Sequence, residues 1–341
     1  MFIKRGTIMI NKYITDLAEA LSNNHAALMV GSGFSKNAEK ISMSNKEFLD
    51  WNQLSDKFYT SIYGENDNKG KAYCSSLRLA QEVEVLSGRA KLEEIIKDAV
   101  PDLDYAPSNL YVDLMQLPWV DVFTTNYDTL LERTLENVVN RRYNIVACQE
   151  DLVNSSDAPR IIKLHGSFPS HRPFIITEED YRTYPSKFAA FVNTVQQALL
   201  ENVFCMLGFS CEDPNFLKWI GWIRDNLGKG NSQKIYMIAV SHVSEASSRL
   251  LFEQNIVVVD LEEIWPDKNI SERISSFLNE LQSKVEKKER ENKWFDIRDI
   301  SIEPKTSIKE RIGLLNNINN TYPGWIFLSS LVFNEYFYST R

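Results

Sequence analysis

Apolar residues along the chain alternate between two kinds of pattern. Between residues 14 and 21 they follow the spacing i, i+3, i+4, i+7 of an amphipathic helix. Residues 26–30 (AALMV) then form a short, wholly apolar run that stops at Gly31. The same run-like pattern predicts further strands at 119–124, 143–146, 161–164, 203–207, 235–240 and 256–259. Helical spacing predicts helices at 130–139, 188–199, 217–227 and 271–291.

Short, all-apolar strands separated by helices are typical of a parallel sheet that is covered on both faces, because neither face of such a strand meets water. The chain is therefore predicted to be an α/β protein with a Rossmann-like, doubly wound parallel sheet. Residues 36–118 lack a comparable strand and are predicted to form a helical insertion over the carboxyl edge of the sheet. We refer to them as the helical insertion.

The predicted domain covers residues 1–290, and residues 291–341 form a C-terminal tail. The tail ends in the aromatic-rich stretch TYPGWIFLSSLVFNEYFYSTR. Apolar side chains in such number need a partner surface. The tail is therefore expected to begin a further helical domain or to contact another subunit, and a homo-oligomer is expected.

Composition narrows the class of protein. The chain has 341 residues, a formal charge of −8 and a hydrophobic fraction of 43%, which is typical of a globular protein with a full core. Its four cysteines contain no C-x-x-C pair, so neither a zinc ribbon nor a disulfide framework is expected. No apolar run is long enough for a secretory signal or a membrane span, which favours a cytoplasmic location. The acidic balance makes nucleic acid an unlikely partner.

Three polar loops follow predicted strands: residues 31–35 (GSGFS), 124–128 (TTNYD) and 163–167 (KLHGS). Ligands of open α/β sheets bind at the carboxyl ends of the strands, so these loops are the candidate site. Each also has a purely structural interpretation. The first is compatible with an ordinary turn, the second with helix caps, since Thr129 and Glu132 stand at capping-box spacing, and a single histidine is usually structural.

Together the three loops resemble, in order, the sirtuin (silent information regulator) motifs G-A-G-x-S, T-Q-N-x-D and L-H-G. Residues 208–210 (GFS) look like the sirtuin G-T-S, and residues 213–215 (DPN) resemble bacterial sirtuin-like defence proteins. The resemblance covers about residues 10–285. The chain departs from sirtuin deacylases in lacking the zinc ribbon and the segment after the first motif, and in having Thr125 for glutamine. These departures resemble the branch that hydrolyses NAD during phage infection.

The resemblance implies an NAD glycohydrolase that releases nicotinamide and ADP-ribose as the effector of an abortive-infection system, with NAD as substrate and no metal. By resemblance, His165 is the general base and Asn126 orients the ribose or the attacking water. The expected NAD-binding residues are Gly31, Ser32, Gly33, Phe34, Ser35, Thr125, Asp128, Gly208, Ser210 and Asp213.

Two other functions stay open. One is a sirtuin-type acyl or ADP-ribosyl transferase, and the other is a non-catalytic module that binds NAD or ADP-ribose and regulates a partner. Release of free ADP-ribose without an acceptor separates the hydrolase from the first, and any turnover separates it from the second. A toxic hydrolase must be silent before infection, so a sensor domain, a partner protein or a phage-derived activator is expected.

Overall fold

The structure is a computed structural model that describes residues 2–64, 74–169, 173–228 and 232–292. The predicted tail from residue 293 onward, with its predicted contacts, lies outside the described residues. The chain divides into two compact units, Met1–Glu286 and Lys287–Arg341. The sheet and the candidate site belong to the first unit.

Seven parallel strands form the central sheet in the order β5-β6-β4-β1-β7-β8-β9. They are β1 (Ala26–Val30), β4 (Asp121–Thr124), β5 (Asn144–Val146), β6 (Arg160–Lys163), β7 (Val203–Leu207), β8 (Ile235–Ala239) and β9 (Ile256–Asp260). β1 lies at the centre, with Leu28 in register with Val122 of β4 on one side and Cys205 of β7 on the other. All five side chains of β1 are buried, as its uninterrupted apolar sequence requires.

The described α-helices are α1 (Phe2–Ser22), α2 (Ser32–Ser35), α3 (Trp51–Tyr63), α4 (Ser76–Ser87), α5 (Arg89–Ala99), α6 (Asn109–Gln116), α7 (Leu130–Thr134), α8 (Glu178–Lys187), α9 (Ala189–Glu201), α10 (Pro214–Leu227), α11 (Glu245–Glu253), α12 (Leu261–Ile264) and α13 (Ile270–Asn292). Helices from this set cover both faces of the sheet. One buried cluster joins the sheet to α1, α6, α7 and α13, and a second joins it to α8, α9 and α10. The predicted doubly wound α/β fold is confirmed.

Helices α3, α4 and α5 of the helical insertion form a third buried cluster, centred on Phe58, Leu79 and Ile96. This cluster also contains Tyr127 and Phe168, which come from the loops after β4 and β6. The helical insertion therefore packs directly on the carboxyl edge of the sheet. Its two-residue strands β2 (Glu39–Lys40) and β3 (Tyr105–Ala106) pair antiparallel with each other.

Two local predictions differ from the structure. The helix predicted at 130–139 ends as α7 at Thr134 and continues as a 3₁₀ turn over Leu135–Asn137. The capping box of Thr129 and Glu132 is wrong, because the Thr129 hydroxyl donates to Asp102 instead. Helix α8 has no counterpart in the predicted elements. Among the described helices, none is both long and apolar enough to cross a membrane.

Candidate functional site

The candidate site lies at the topological switch point of the sheet, where the strand order changes direction beside β1. Strand order runs from β1 through β4 to one edge and from β1 through β7 to the other, which makes a crevice at the carboxyl ends of β1 and β7. Because the strands are parallel, the loops after β1, β4, β6 and β7 all begin at this edge. They are the four loops that carry the sirtuin-like motifs.

Glycines allow two of these loops to touch through their backbones. The Gly31 amide donates to Leu207 O and the Gly33 amide to Gly208 O, both at 3.0 Å. A Cβ on Gly31 would lie 2.4 Å from Gly208 O, and one on Gly208 would lie 2.3 Å from the Phe34 nitrogen. Gly208 also has a φ of +66°, which other residues rarely adopt. The amides of Gly31 and Gly33 are thus already bonded within the protein.

A buried chain of hydrogen bonds runs from the loop after β4 to the loop after β1. Asn126 Nδ2 donates to Ser35 Oγ at 3.1 Å, and Ser35 Oγ donates to Asp128 Oδ2 at 2.8 Å. Asp128 Oδ1 in turn accepts from the Leu130 amide at 3.2 Å. Because Nδ2 is the donor of the Asn126 amide, its orientation is fixed, and Oδ1 is left buried without a partner.

A second buried pair supports this loop from below. The ammonium of Lys163, the last residue of β6, donates to the Asp128 carbonyl and pairs with Glu132 at 3.1 Å. Burial raises the pKa of Asp128, and the Lys163 charge and the Ser35 hydrogen bond oppose that rise. The sequence pattern placed Lys163 at a strand end but assigned it no role.

His165 occupies the corresponding position on the neighbouring strand. Thr124 of β4 and Lys163 of β6 are in register, so Asn126 and His165 each stand two residues beyond a paired position. His165 is 1% exposed, and its Nε2 atom has no hydrogen-bond partner within the described part of the chain. Burial lowers the pKa of His165, while the charges of Asp213 and Asp180 act in the opposite direction. The imidazole is therefore neutral at pH 7, the form that accepts a proton.

Two tyrosines of α8 enclose the His165 ring, and neither was predicted. Tyr181 and Tyr184 contact it edge-on, with ring centroids at 5.4 and 5.7 Å. The Tyr181 hydroxyl donates to Asp213 Oδ2 at 2.7 Å, and the Tyr184 hydroxyl donates to Leu164 O at 2.8 Å. Their spacing of three residues on a charged segment was the available signal. It is weak, because the segment lacks the apolar periodicity that reveals most helices.

A cleft separates the loops from the helical insertion. Its floor consists of Ser32, Ser35, Thr125, Asn126, Tyr127 and Asp128. The helical insertion supplies the other lining residues, which form the wall of the cleft: Phe48, Leu49, Asp50, Trp51, Leu54 and Val100. Five of the predicted site residues therefore meet in one cleft, and Tyr127 joins them. His165 is not among the lining residues, so the two predicted catalytic side chains do not share this cleft.

The remaining predicted residues lie elsewhere at the same edge. Phe34 is 1% exposed and packs on Tyr111 with ring centroids at 4.6 Å, which places its side chain in the core. Ser210 is exposed, and its hydroxyl accepts weakly from the Glu212 amide. Asp213 caps α10 by accepting from the amides of residues 215 and 216. Within the part of the chain that the structure describes, no three His, Cys, Asp or Glu side chains gather as a metal site.

Known proteins match the part of the chain that carries these loops. Residues 120–259, from β4 to β9, match the family model of the SIR2-like domain. The chain is 29% identical to NAD(+) hydrolase ThsA of Acinetobacter baumannii over 271 residues, which cover 76% of this chain and 52% of ThsA. It is 21% identical to defense-associated sirtuin 2 of Bacillus subtilis over 245 residues, which cover 71% of this chain and 23% of that protein.

The chain thus spans about half the length of the curated relatives it matches, or less. A solved structure of a Sir2 homologue with NAD covers 79% of this chain and 94% of its own, at 11% identity and a TM-score of 0.40. That likeness is too low to carry an argument. Residues 120–259 therefore resemble the SIR2-like domain, and the loops after β4, β6 and β7 lie within this match.

Proposed function

We propose that this protein is an NAD⁺ hydrolase that cleaves NAD to nicotinamide and ADP-ribose. One observation carries the proposal. Asn126 Oδ1 and His165 Nε2 are both buried and have no hydrogen-bond partner among the described residues, at the ends of adjacent strands whose last residues are in register. Leaving such atoms unpaired is costly in a folded protein, and their joint position at the carboxyl edge of the sheet, where α/β folds bind ligands, supports a role for both in binding one. Relatives named NAD(+) hydrolase and defense-associated sirtuin support NAD as that ligand.

The chemistry requires a water-derived nucleophile and one proton acceptor. The bond between ribose C1′ and the nicotinamide nitrogen breaks, its electron pair neutralises the ring nitrogen, and water adds at C1′. Neutral His165 takes the proton that the water loses, either directly or through a ribose hydroxyl. Asn126 Oδ1 accepts a hydrogen bond from the ribose or from the attacking water. The orientation of its amide is set by the hydrogen bond from Nδ2 to Ser35 Oγ, and Ser35 is held in turn by its own bond to Asp128.

The remaining assignments are also proposals. We infer that Ser32, Ser35, Thr125 and Asp128 shape the ribose end of the site, and that residues 208–213 meet the adenosine end. The four cysteines are free, as in a reducing compartment, which supports a cytoplasmic setting. We further infer a role as the effector of an anti-phage system, silenced until a partner, an oligomer or a phage component releases it. The near-complete burial of His165 fits a silent state.

The decisive assay identifies products. The full chain is incubated with NAD⁺ in ¹⁸O-labelled water, and nicotinamide and ADP-ribose are quantified by chromatography and mass spectrometry. Hydrolysis predicts equal amounts of both products, with the label in the C1′ hydroxyl of ADP-ribose. Transfer predicts ADP-ribose attached to an acceptor, and a binding module predicts NAD⁺ binding by calorimetry with no products under any activating condition.

A further inference from the structure

The wall that the helical insertion contributes to the cleft is mostly apolar, whereas the floor formed by the loops is mostly polar. Phe48, Leu54 and Val100 make most of this wall apolar, and Phe48 and Leu54 are buried. Only two charged side chains stand among the described lining residues, and both are carboxylates, Asp50 and Asp128. An anionic diphosphate gains nothing from such a lining. A flat ring that carries positive charge fits the apolar wall, and it meets no cationic side chain among these lining residues; Asp50 is already paired with Lys36, and burial raises the pKa of Asp128, so the carboxylates add little.

Trp51 is the aromatic residue of this wall that a ligand can reach. It is the first residue of α3 and is 40% exposed, whereas Phe48 and Tyr127 are 9% and 8% exposed. The start of α3 is fixed by Asp50, which caps the helix by accepting from the Gln53 amide. Asp50 also pairs with Lys36, the residue directly after α2, at 3.2 Å. The backbone of Trp51 therefore stands at a capped helix end beside the cleft that its side chain lines.

We propose that Trp51 selects the oxidised form of the dinucleotide, by holding the cationic nicotinamide ring against its indole in the cleft that Asn126 also lines. This inference rests on the proposed function and adds to it the residue that reads the charge of the substrate. Among aromatic side chains, an indole offers the strongest face to a cation. The oxidised ring carries a positive charge and the reduced ring carries none, so the contact favours NAD⁺ over NADH.

The arrangement also follows from where the reaction must occur. The bond to be cleaved joins the ring to the ribose, so the ring has to lie within contact of the residue that orients the ribose. Asn126 lines the same cleft as Trp51, and its unpaired Oδ1 is buried there. Once the bond breaks, the ring becomes neutral and the cation contact is lost. The same wall then releases nicotinamide more readily than it held the substrate ring.

The test compares affinities for two dinucleotides that differ in ring charge. Binding of NAD⁺ and NADH is measured by calorimetry on the full-length His165→Ala variant, which lies outside this cleft and prevents turnover. Trp51→Ala and Trp51→Phe are then added to that background. The control is Trp222→Ala, because Trp222 is 41% exposed on α10 and is not among the lining residues.

We expect Trp51→Ala to weaken NAD⁺ binding about two- to fivefold more than NADH binding, the range of an exposed cation–π contact. Trp51→Phe should recover part of the difference, and Trp222→Ala should change neither affinity. Equal weakening of both dinucleotides, or none, would overturn the role of Trp51 and leave the proposed hydrolase standing. Failure of the parent variant and of the unsubstituted chain to bind NAD⁺ would overturn both.

Discussion

The environment of His165 determines the chemistry that this side chain can perform. Free imidazole has a pKa near 6.5, the value that the sequence alone suggests. In the folded protein, burial lowers the pKa of His165, and the two tyrosines of α8 that contact its ring are part of the surroundings that bury it. The neutral form therefore persists to lower pH than for a free histidine.

We predict that the pH profile of NAD cleavage shows this shift. The rate falls when His165 becomes protonated, so the acidic limb of kcat/KM should lie below pH 6.5 and the profile should be flat from pH 7 to 8. Asp213→Asn removes a charge that raises this pKa, so it should move the limb to still lower pH. An acidic limb above pH 7 in the unsubstituted chain would contradict the assignment of His165 as base.

The hydrogen bonds of Ser35 give a second prediction at this scale. Ser35→Ala removes the acceptor of Asn126 Nδ2, so the amide can rotate and Oδ1 is no longer held toward the cleft. Loss of this link should lower kcat by about five- to tenfold, and the melting temperature should fall by roughly a few degrees because Asn126 Nδ2 and Asp128 Oδ2 both lose a buried partner. Ser186→Ala, at an exposed position of α8, serves as the control. Unchanged kcat would show that Asn126 needs no such support.

Sequence reasoning located Asn126 and His165 because both follow short apolar strands, and strand ends are where such folds place chemistry. It could not find Tyr181. That residue reaches His165 only because α8 crosses back over the loop after β6, and its segment, EEDYRTYPSK, has no apolar stripe. Contacts between side chains so far apart along the chain depend on the tertiary structure, which local pattern does not encode.

At the scale of elements, the contact between the loops after β1 and β7 depends on glycine. We predict that Gly208→Ala lowers the free energy of unfolding by about 3 kcal/mol, because its Cβ would overlap the Phe34 nitrogen at a φ of +66°. The matched control is Gly221→Ala, in the middle of α10, where nothing lies within 4 Å of the added Cβ. That variant should gain about 0.5–1 kcal/mol.

Chemical denaturation measures the free energy of unfolding of Gly208→Ala, Gly221→Ala and the unsubstituted chain. Similar unfolding free energies for the two would mean that the loops separate without cost and that the glycines do not set their contact.

The strands were the elements that the sequence predicted best. A strand such as β7, Val203–Leu207, is apolar from end to end, and burial on both faces leaves no other arrangement for it. The hydrogen bonds of the region after β4 could not be predicted from local sequence. Asp102 of the helical insertion accepts from the Thr129 amide and hydroxyl, so a residue far away in sequence replaces the local cap that Thr129 and Glu132 suggested. Glu132 instead pairs with Lys163.

At the scale of the whole molecule, an ion-pair and hydrogen-bond network joins the helical insertion to the segment beside His165. Arg89 of α5 pairs with Asp180 of α8 at 3.0 Å and donates to Phe174 O. Asp180 also accepts from the amides of residues 176 and 177, while the Ile175 amide donates to His165 O. The helical insertion is thus joined through Arg89 and Asp180 to residues 174–177, one of which bonds to the His165 backbone.

We predict that Arg89→Ala loosens that segment. Hydrogen exchange at the amides of residues 175–177 should become about 5- to 30-fold faster, since part of a half-buried ion-pair network is lost. Amides in β1 and β7 should be unaffected. Arg249→Ala, whose pair with Glu245 is exposed, should leave every one of these rates unchanged. If Arg89→Ala and Arg249→Ala give the same exchange rates, the Arg89–Asp180 ion pair does not hold residues 175–177 in place.

The central claim is that Asn126 and His165 together cleave NAD. Its most direct measurement is the rate of NAD cleavage by the full chain, in the activated condition, for Asn126→Ala and His165→Ala beside Asn226→Ala, an exposed asparagine of α10. The account predicts that the first two variants lose cleavage by a factor on the order of 10² or more while keeping their fold, and that Asn226→Ala keeps full activity. Cleavage retained by either of the first two in a folded protein would contradict it.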